Sequence, residues 1–306
     1  MPAAEDWRAT SSNLPGIEVG CAAKPQAPTT DGNEPGTLAR LSSDRRPTMF
    51  QPHAYGDRTF VLREPYLLSL LARIGSKETA GTELARAVRT VYRRMLQSVL
   101  DELLPTETAR VETRMAELDP RGVWEGPTFR RDVPVVICAV LRAGVVPTHA
   151  CYEAACDVLP SDQVRIDYVY AARTTSSIGE VTGTRLDGSR IGGSVENALL
   201  LIPDPMGATG GTVSSVLDLY RDYGSEQALA RVAMHMIAAP EAIRSTARLD
   251  PAAHLWTCRV DRGASPEHVL GTKLGAHPEL ESGLNEKQYI LPGAGGLGEV
   301  LTNAFI

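Results

Sequence analysis

The sequence predicts an α/β protein built on a mainly parallel, twisted β-sheet flanked by helices. Three observations predict it. Short β-branched runs such as Pro134 to Leu141 show no polar alternation, as strands buried on both faces require. Other segments repeat apolar residues three and four positions apart, the spacing of one helix face. From about residue 133 to 260 the two kinds of segment alternate, which argues for parallel βα units rather than a meander.

Residues 1–48 stand apart from this pattern. They hold six Pro, four Gly, four Ser and five Thr, with Trp7 the only aromatic. Apolar residues there have no period, and such a chain cannot bury enough surface to offset its ordering entropy. The segment reads as a disordered N-terminal extension, followed by one domain over 49–306. Pro65 to Ile74 reads as a short helix. Leu84, Val88, Val91, Met95, Val99 and Leu103 then mark one face of a longer one. Arg110 to Leu118 reads as an extended strand, Pro134 to Leu141 as a buried strand and Pro147 to Val158 as a helix. Val164 to Ala172 is a further strand. The polar, Gly-rich stretch from Arg173 to Asn197 is long enough to be a functional loop or a hairpin. Ala198 to Ile202 (strand), Thr212 to Tyr223 (helix), Leu229 to Ala238 (strand), Pro240 to Leu249 (helix) and His254 to Val260 (strand) complete the alternation. After Asp261 the pattern breaks into a Gly- and Pro-rich tail.

Composition excludes several classes. The chain is 43% hydrophobic and 22% charged with a net charge of −6, so a basic nucleic-acid surface is not expected. The longest apolar run, Val133 to Leu141, is too short to span a membrane. The start shows no basic-then-apolar leader. Five cysteines without a CxxC point to a reducing, cytoplasmic compartment. The six scattered histidines offer no zinc spacing.

The most informative segment is Ala198-Leu-Leu-Leu-Ile-Pro-Asp204-Pro205-Met206-Gly207-Ala208-Thr209-Gly210-Gly211-Thr212. A buried strand ends in an acidic residue, and a turn of small residues opens a helix. Free N–H groups at a helix N-terminus, beside the Thr209 and Thr212 hydroxyls, suit a phosphate. Asp204 can accept from sugar hydroxyls or hold a hydrated cation. No Gly-Lys-Ser/Thr follows, so this is not a P-loop.

The string resembles the signature of the type I phosphoribosyltransferases, and its Asp-Pro form is similar to uracil phosphoribosyltransferase in particular. Further landmarks occur in the same order. Lys77-Glu78-Thr79 and Val111-Glu112-Thr113 look like the N-terminal ones, and Leu141-Arg142-Ala143-Gly144 looks like the pyrophosphate loop. Arg173 sits where the family has the arginine of its flexible loop. Gly283-Leu284-Asn285-Glu286 with Tyr289-Ile290-Leu291-Pro292-Gly293 resembles the uracil-binding hood.

The resemblance implies the type I phosphoribosyltransferase fold with a C-terminal hood over about 261–306. It implies transfer of ribose 5-phosphate from phosphoribosyl pyrophosphate (PRPP) to uracil, giving UMP and diphosphate in pyrimidine salvage. Arg142 and Asp204 would be catalytic. Arg142, Arg173 and the loop Asp204, Pro205, Met206, Gly207, Ala208, Thr209, Gly210, Gly211 and Thr212 would bind PRPP. Ile290, Gly295, Gly296 and Leu297 would contact uracil through the backbone. Mg²⁺ is expected mainly through PRPP, without a dedicated protein site. A homodimer or larger homo-oligomer is implied, and GTP activation follows from the resemblance alone.

The hood departs from the pattern. Its two aspartates are Gly296 and Glu299 here, its arginine is Val300, and about twenty residues are inserted near 262–281. The acidic residues after the flexible-loop arginine are Thr174, Thr175 and Ser176. Gly293 to Gly298 also matches GxGxxG, but too little chain follows for the helix, strand and acid of a dinucleotide site. Three readings stay open: uracil as acceptor, a different base or heterocycle as acceptor, and a non-catalytic nucleotide-sensing regulator that binds RNA.

Overall fold

The structure, a computed structural model, describes residues 49–175 and 181–303. The extension expected over 1–48 lies outside the described residues. Among the described residues, ten strands and seven α-helices follow in order. They are β1 (Thr59–Val61), α1 (Pro65–Ile74), α2 (Gly81–Leu103), β2 (Thr106–Glu112), β3 (Val123–Phe129), β4 (Val135–Leu141), α3 (Val145–Cys156) and β5 (Val164–Thr175). After these come β6 (Val181–Arg190), β7 (Leu199–Pro203), β8 (Met206–Gly207), α4 (Gly211–Arg221), β9 (Ala230–Ala238), α5 (Pro240–Leu249), β10 (His254–Val260), α6 (Glu267–Leu270) and α7 (Leu297–Thr302).

The main sheet runs β1-β10-β9-β7-β4-β5-β6, with the short β8 beside β9. Every pairing in it is parallel except β5 with β6. The β-branched runs form the centre because both faces are covered. On β4, Val135 and Ile137 pack with α1, α2 and α3, while Val136, Cys138 and Val140 pack with α4 and α5. Strand order reverses between β4 and β7, whose pairing covers only Val135–Leu199, Val136–Leu200 and Ile137–Leu201. Beyond that point the two strands part at their carboxyl ends, where open α/β sheets hold ligands.

The stretch read as loop or hairpin is a hairpin. β5 continues to Thr175 and pairs antiparallel with β6, with irregular register at Tyr170/Ala171 and Thr174/Thr175. The strand expected over Arg110 to Leu118 is corrected. β2 ends at Glu112 and pairs with β3, and the chain turns back between Thr113 and Gly122, joined by the Thr113 N–H to the Gly122 carbonyl at 2.8 Å. β1 and β3 carry no strong sequence signal. β1 has three residues, and β3 is interrupted by Gly126 and Pro127.

Cys138, Cys151, Cys156 and Cys258 are free thiols. Burial pushes Cys138 up to about 12 and raises Cys151 and Cys258 as well. These three are inert packing groups. No described helix is long and apolar enough to cross a membrane.

The segment after β10 is not a loose tail. Arg262 (8% exposed) and Glu281 (1%) form an ion pair inside it. The Arg262 guanidinium also donates to the Leu270 and Thr272 carbonyls. The Gly275 N–H and the Tyr55 hydroxyl donate to Glu281. The insertion is thus closed on a buried charge pair. Asp261, paired with Arg259, accepts the Gly293 N–H at 2.8 Å and ties the hood to the end of β10.

Candidate active site

A cavity of about 660 Å³ opens at the carboxyl ends of β4, β5 and β7, under the segment 288–299. Arg142, Asp204, Met206, Gly207, Ala208, Thr209, Gly210, Thr212, Ile290, Gly295, Gly296 and Leu297 all line it. Three stretches far apart in sequence therefore meet, as the motif reading requires. Pro205 and Gly211 belong to the same loop but do not line the cavity. Pro205 is buried, and its carbonyl accepts the N–H groups of Met236 and Ile237 at 3.1 and 3.3 Å. The Gly211 N–H turns to Thr209 Oγ1 at 3.3 Å. Arg173 lies in β5 opposite Thr184, and the position of its side chain is outside what the structure describes.

The loop 204–212 is built by local rules. β7 delivers Asp204 to the sheet edge, and Gly210 takes a left-handed φ of 81° as N-cap of α4. Only glycine adopts that turn cheaply. No side chain caps α4, so the Thr212 and Val213 N–H groups are left facing the cavity end of the helix with its positive dipole. Arg142 is half-buried on the turn between β4 and α3. Gly144 closes that turn. A Cβ there would stand 2.6 Å from the Val140 carbonyl and 2.9 Å from that of Pro203. Both obstacles are backbone, so Gly144→Ala is expected to lower stability by about 1–3 kcal/mol, measurable as an earlier denaturant midpoint.

Three lining residues escaped the sequence reading: Tyr170, within β5 and opposite Leu141, Gln288 at the edge of the hood, and His235 on β9. Tyr289 and Glu299, read as part of the hood, line the cavity too. The Glu299 carboxylate folds over Gly296, where a Cβ would meet its Oε2 at 2.5 Å. His235 is fully buried. Burial holds its pKa below the ordinary value, against the pull of Asp204 and its carbonyl. One signal was available for His235: it is the single titratable group in the apolar run from Val232 to Ala238.

A family model described as uracil phosphoribosyltransferase matches residues 61–279, more than two thirds of the chain. The match ends before the hood residues that line the cavity. A uracil phosphoribosyltransferase of Thermococcus sibiricus is 26% identical over 235 residues, covering 77% of this chain and 85% of that protein. One of Synechococcus elongatus is 28% identical over 245 residues, covering 80% and 96%. Among solved structures, the AQ2163 protein from Aquifex aeolicus matches with a TM-score of 0.61 at 21% identity, over 81% of this chain and 99% of that one. That last likeness concerns the fold alone.

Proposed function

The chain belongs to the uracil phosphoribosyltransferase family, and from that premise we propose that it transfers the phosphoribosyl group of PRPP to N1 of uracil. The C1–diphosphate bond breaks, the C1–N1 bond forms, and UMP and diphosphate leave with the N1 proton released. The observation that carries this reading is the meeting of the Arg142 turn, the 204–212 loop and the 288–299 hood around one cavity. The working domain is taken as 49–306, within a cytoplasmic protein.

Each group then has a task. Displacement at an anomeric carbon through an oxocarbenium-like state needs donors where charge leaves. Arg142 supplies a bidentate guanidinium for the diphosphate, and Arg173 closes from the β5–β6 hairpin. The loop from Asp204 through Thr212 seats the 5-phosphate on the N-terminus of α4, with Thr209 and Thr212 adding hydroxyls and Asp204 accepting from the ribose hydroxyls. Ile290, Gly295, Gly296 and Leu297 read uracil by backbone groups, whose alternating donors and acceptors match an imide edge. Holding both reactants this way supplies much of the rate.

Mg²⁺ fits the residues present. Asp204 and Glu299 bring carboxylates to the cavity, and the ion takes few protein ligands beside substrate phosphates and water. When bound it neutralises diphosphate charge. A homodimer or larger assembly would cover the apolar side chains exposed on the β2–β3 hairpin, among them Val111, Met115, Leu118 and Trp124. GTP activation rests on the resemblance alone.

The test is incubation of the protein with PRPP, Mg²⁺ and a panel of bases, scored by diphosphate release. UMP formation with a clear preference for uracil is expected. One observation favours a second reading, transfer to another heterocycle: the family match stops before Gly296 and Glu299. Turnover of another base in preference to uracil would establish it.

A further inference from the structure

The 204–212 loop is anchored from the strand beside it. The Asp204 N–H donates to the Met234 carbonyl of β9 at 3.0 Å. The Asp204 carbonyl lies 2.6 Å from Nδ1 of His235, the next residue on that strand. A carbonyl only accepts, so Nδ1 carries the proton and Nε2 is left as a bare acceptor. Nε2 is buried and has no partner among the described residues. The ring fills the space under Gly207, where a Cβ would stand 2.7 Å from it.

A histidine with one nitrogen unsatisfied is a costly way to fill the interior of a strand. An apolar side chain would pack there with no unpaired ring nitrogen, but it would take the donor away from the Asp204 carbonyl. The cost falls at the corner from which the phosphate loop departs, and the ring lines the same cavity as that loop. Resting on the phosphoribosyl-transfer reading, we infer that His235 is a positioning residue. Its Nδ1–H holds the Asp204 carbonyl, so the Asp204 carboxylate and the N–H groups opening α4 stay aimed at PRPP. His235 acts through Asp204 and the loop, not by touching the reacting atoms.

Side-chain geometry separates this from simple packing. An asparagine amide nitrogen lies close to the Nδ1 position, a glutamine reaches toward Nε2, and a leucine keeps bulk without a donor. Kinetics with PRPP varied at saturating acceptor base, and calorimetric PRPP binding, are measured for wild type and for His235→Asn, His235→Gln and His235→Leu, with an unfolding midpoint for each. Loss of one hydrogen bond at the corner is expected to raise the KM and Kd for PRPP about tenfold in the Gln and Leu variants, with kcat changed by less than about threefold. His235→Asn is expected to stay within about threefold of wild type. If the Leu variant does not fold, the polar Gln variant carries the comparison. A folded Gln or Leu variant with wild-type KM and Kd overturns the assignment, as does an Asn variant impaired as much as the Gln one. Wild type that neither binds nor turns over PRPP overturns the transfer reading and this inference with it. An active wild type with indifferent variants overturns only the role of His235.

Discussion

Replacing Arg142 by alanine is expected to lower kcat/KM for UMP formation by about 10²–10³-fold in a protein that still folds cooperatively. The side chain stands on a turn at the end of a strand whose residues from Val135 to Ala139 are at most 1% exposed. That buried strand keeps the fold in place when the Arg142 side chain is cut back. Its guanidinium lines the cavity beside the loop that opens α4. In the proposed reaction it would meet a leaving group that gains charge in the transition state, where a donor counts most. Arg142→Lys is expected to recover part of the loss, because a point charge lacks the planar fork that grips two oxygens at once. Steady-state UMP formation with PRPP varied measures both, and wild-type activity in Arg142→Ala would remove its role.

The second large effect is on stability. Glu281→Ala is expected to destabilise the protein by about 3–5 kcal/mol, read as a lower denaturant midpoint. The substitution strands the Arg262 guanidinium in the interior and leaves the Gly275 N–H, which donates at 2.9 and 3.1 Å to the two carboxylate oxygens, without its acceptor. The Tyr55 hydroxyl loses its acceptor too. Burial, and behind it the Glu281 carboxylate, keeps that phenol protonated well above its usual range. Removing both charges together, as in Arg262→Met with Glu281→Leu, is expected to recover most of the loss, because no unpaired ion is then left inside. If the double variant is as unstable as the single one, the packing of the insertion rather than its charge pair is what matters.

Most of the sheet was legible because its signals are local. Bounds for α1, α5 and β10 agree with the reading residue for residue, and β4, β5, β7 and β9 differ at their ends. Their apolar runs need no partner to be recognised. β2 and β3 were misread or missed because a hairpin standing off the main sheet has no buried face, as the almost wholly exposed pattern of β2 shows. The position of β2 is set by its pairing with β3, a relation the linear sequence does not display. The site divides along the same line. The 204–212 loop is contiguous and could be read whole. Arg142 and the hood were reachable through their motifs. His235 and Tyr170 lie within β9 and β5 and reach the cavity only because those strands pass beside it, and an isolated polar residue in an apolar strand carries no label of its role. Glu299 was noticed as a departure from a pattern, yet its carboxylate lying over Gly296 is a matter of tertiary placement.

The parting of β4 and β7 beyond Ile137 and Leu201 has a thermodynamic consequence. A substrate seated in that fork as proposed would touch one half of the sheet through the Arg142 turn and the other through the 204–212 loop. It acts as a removable cross-link between them. Each tenfold rise of substrate above its Kd adds about 1.4 kcal/mol to the work of unfolding. The lifetime of the folded chain then follows the supply of the compound it consumes.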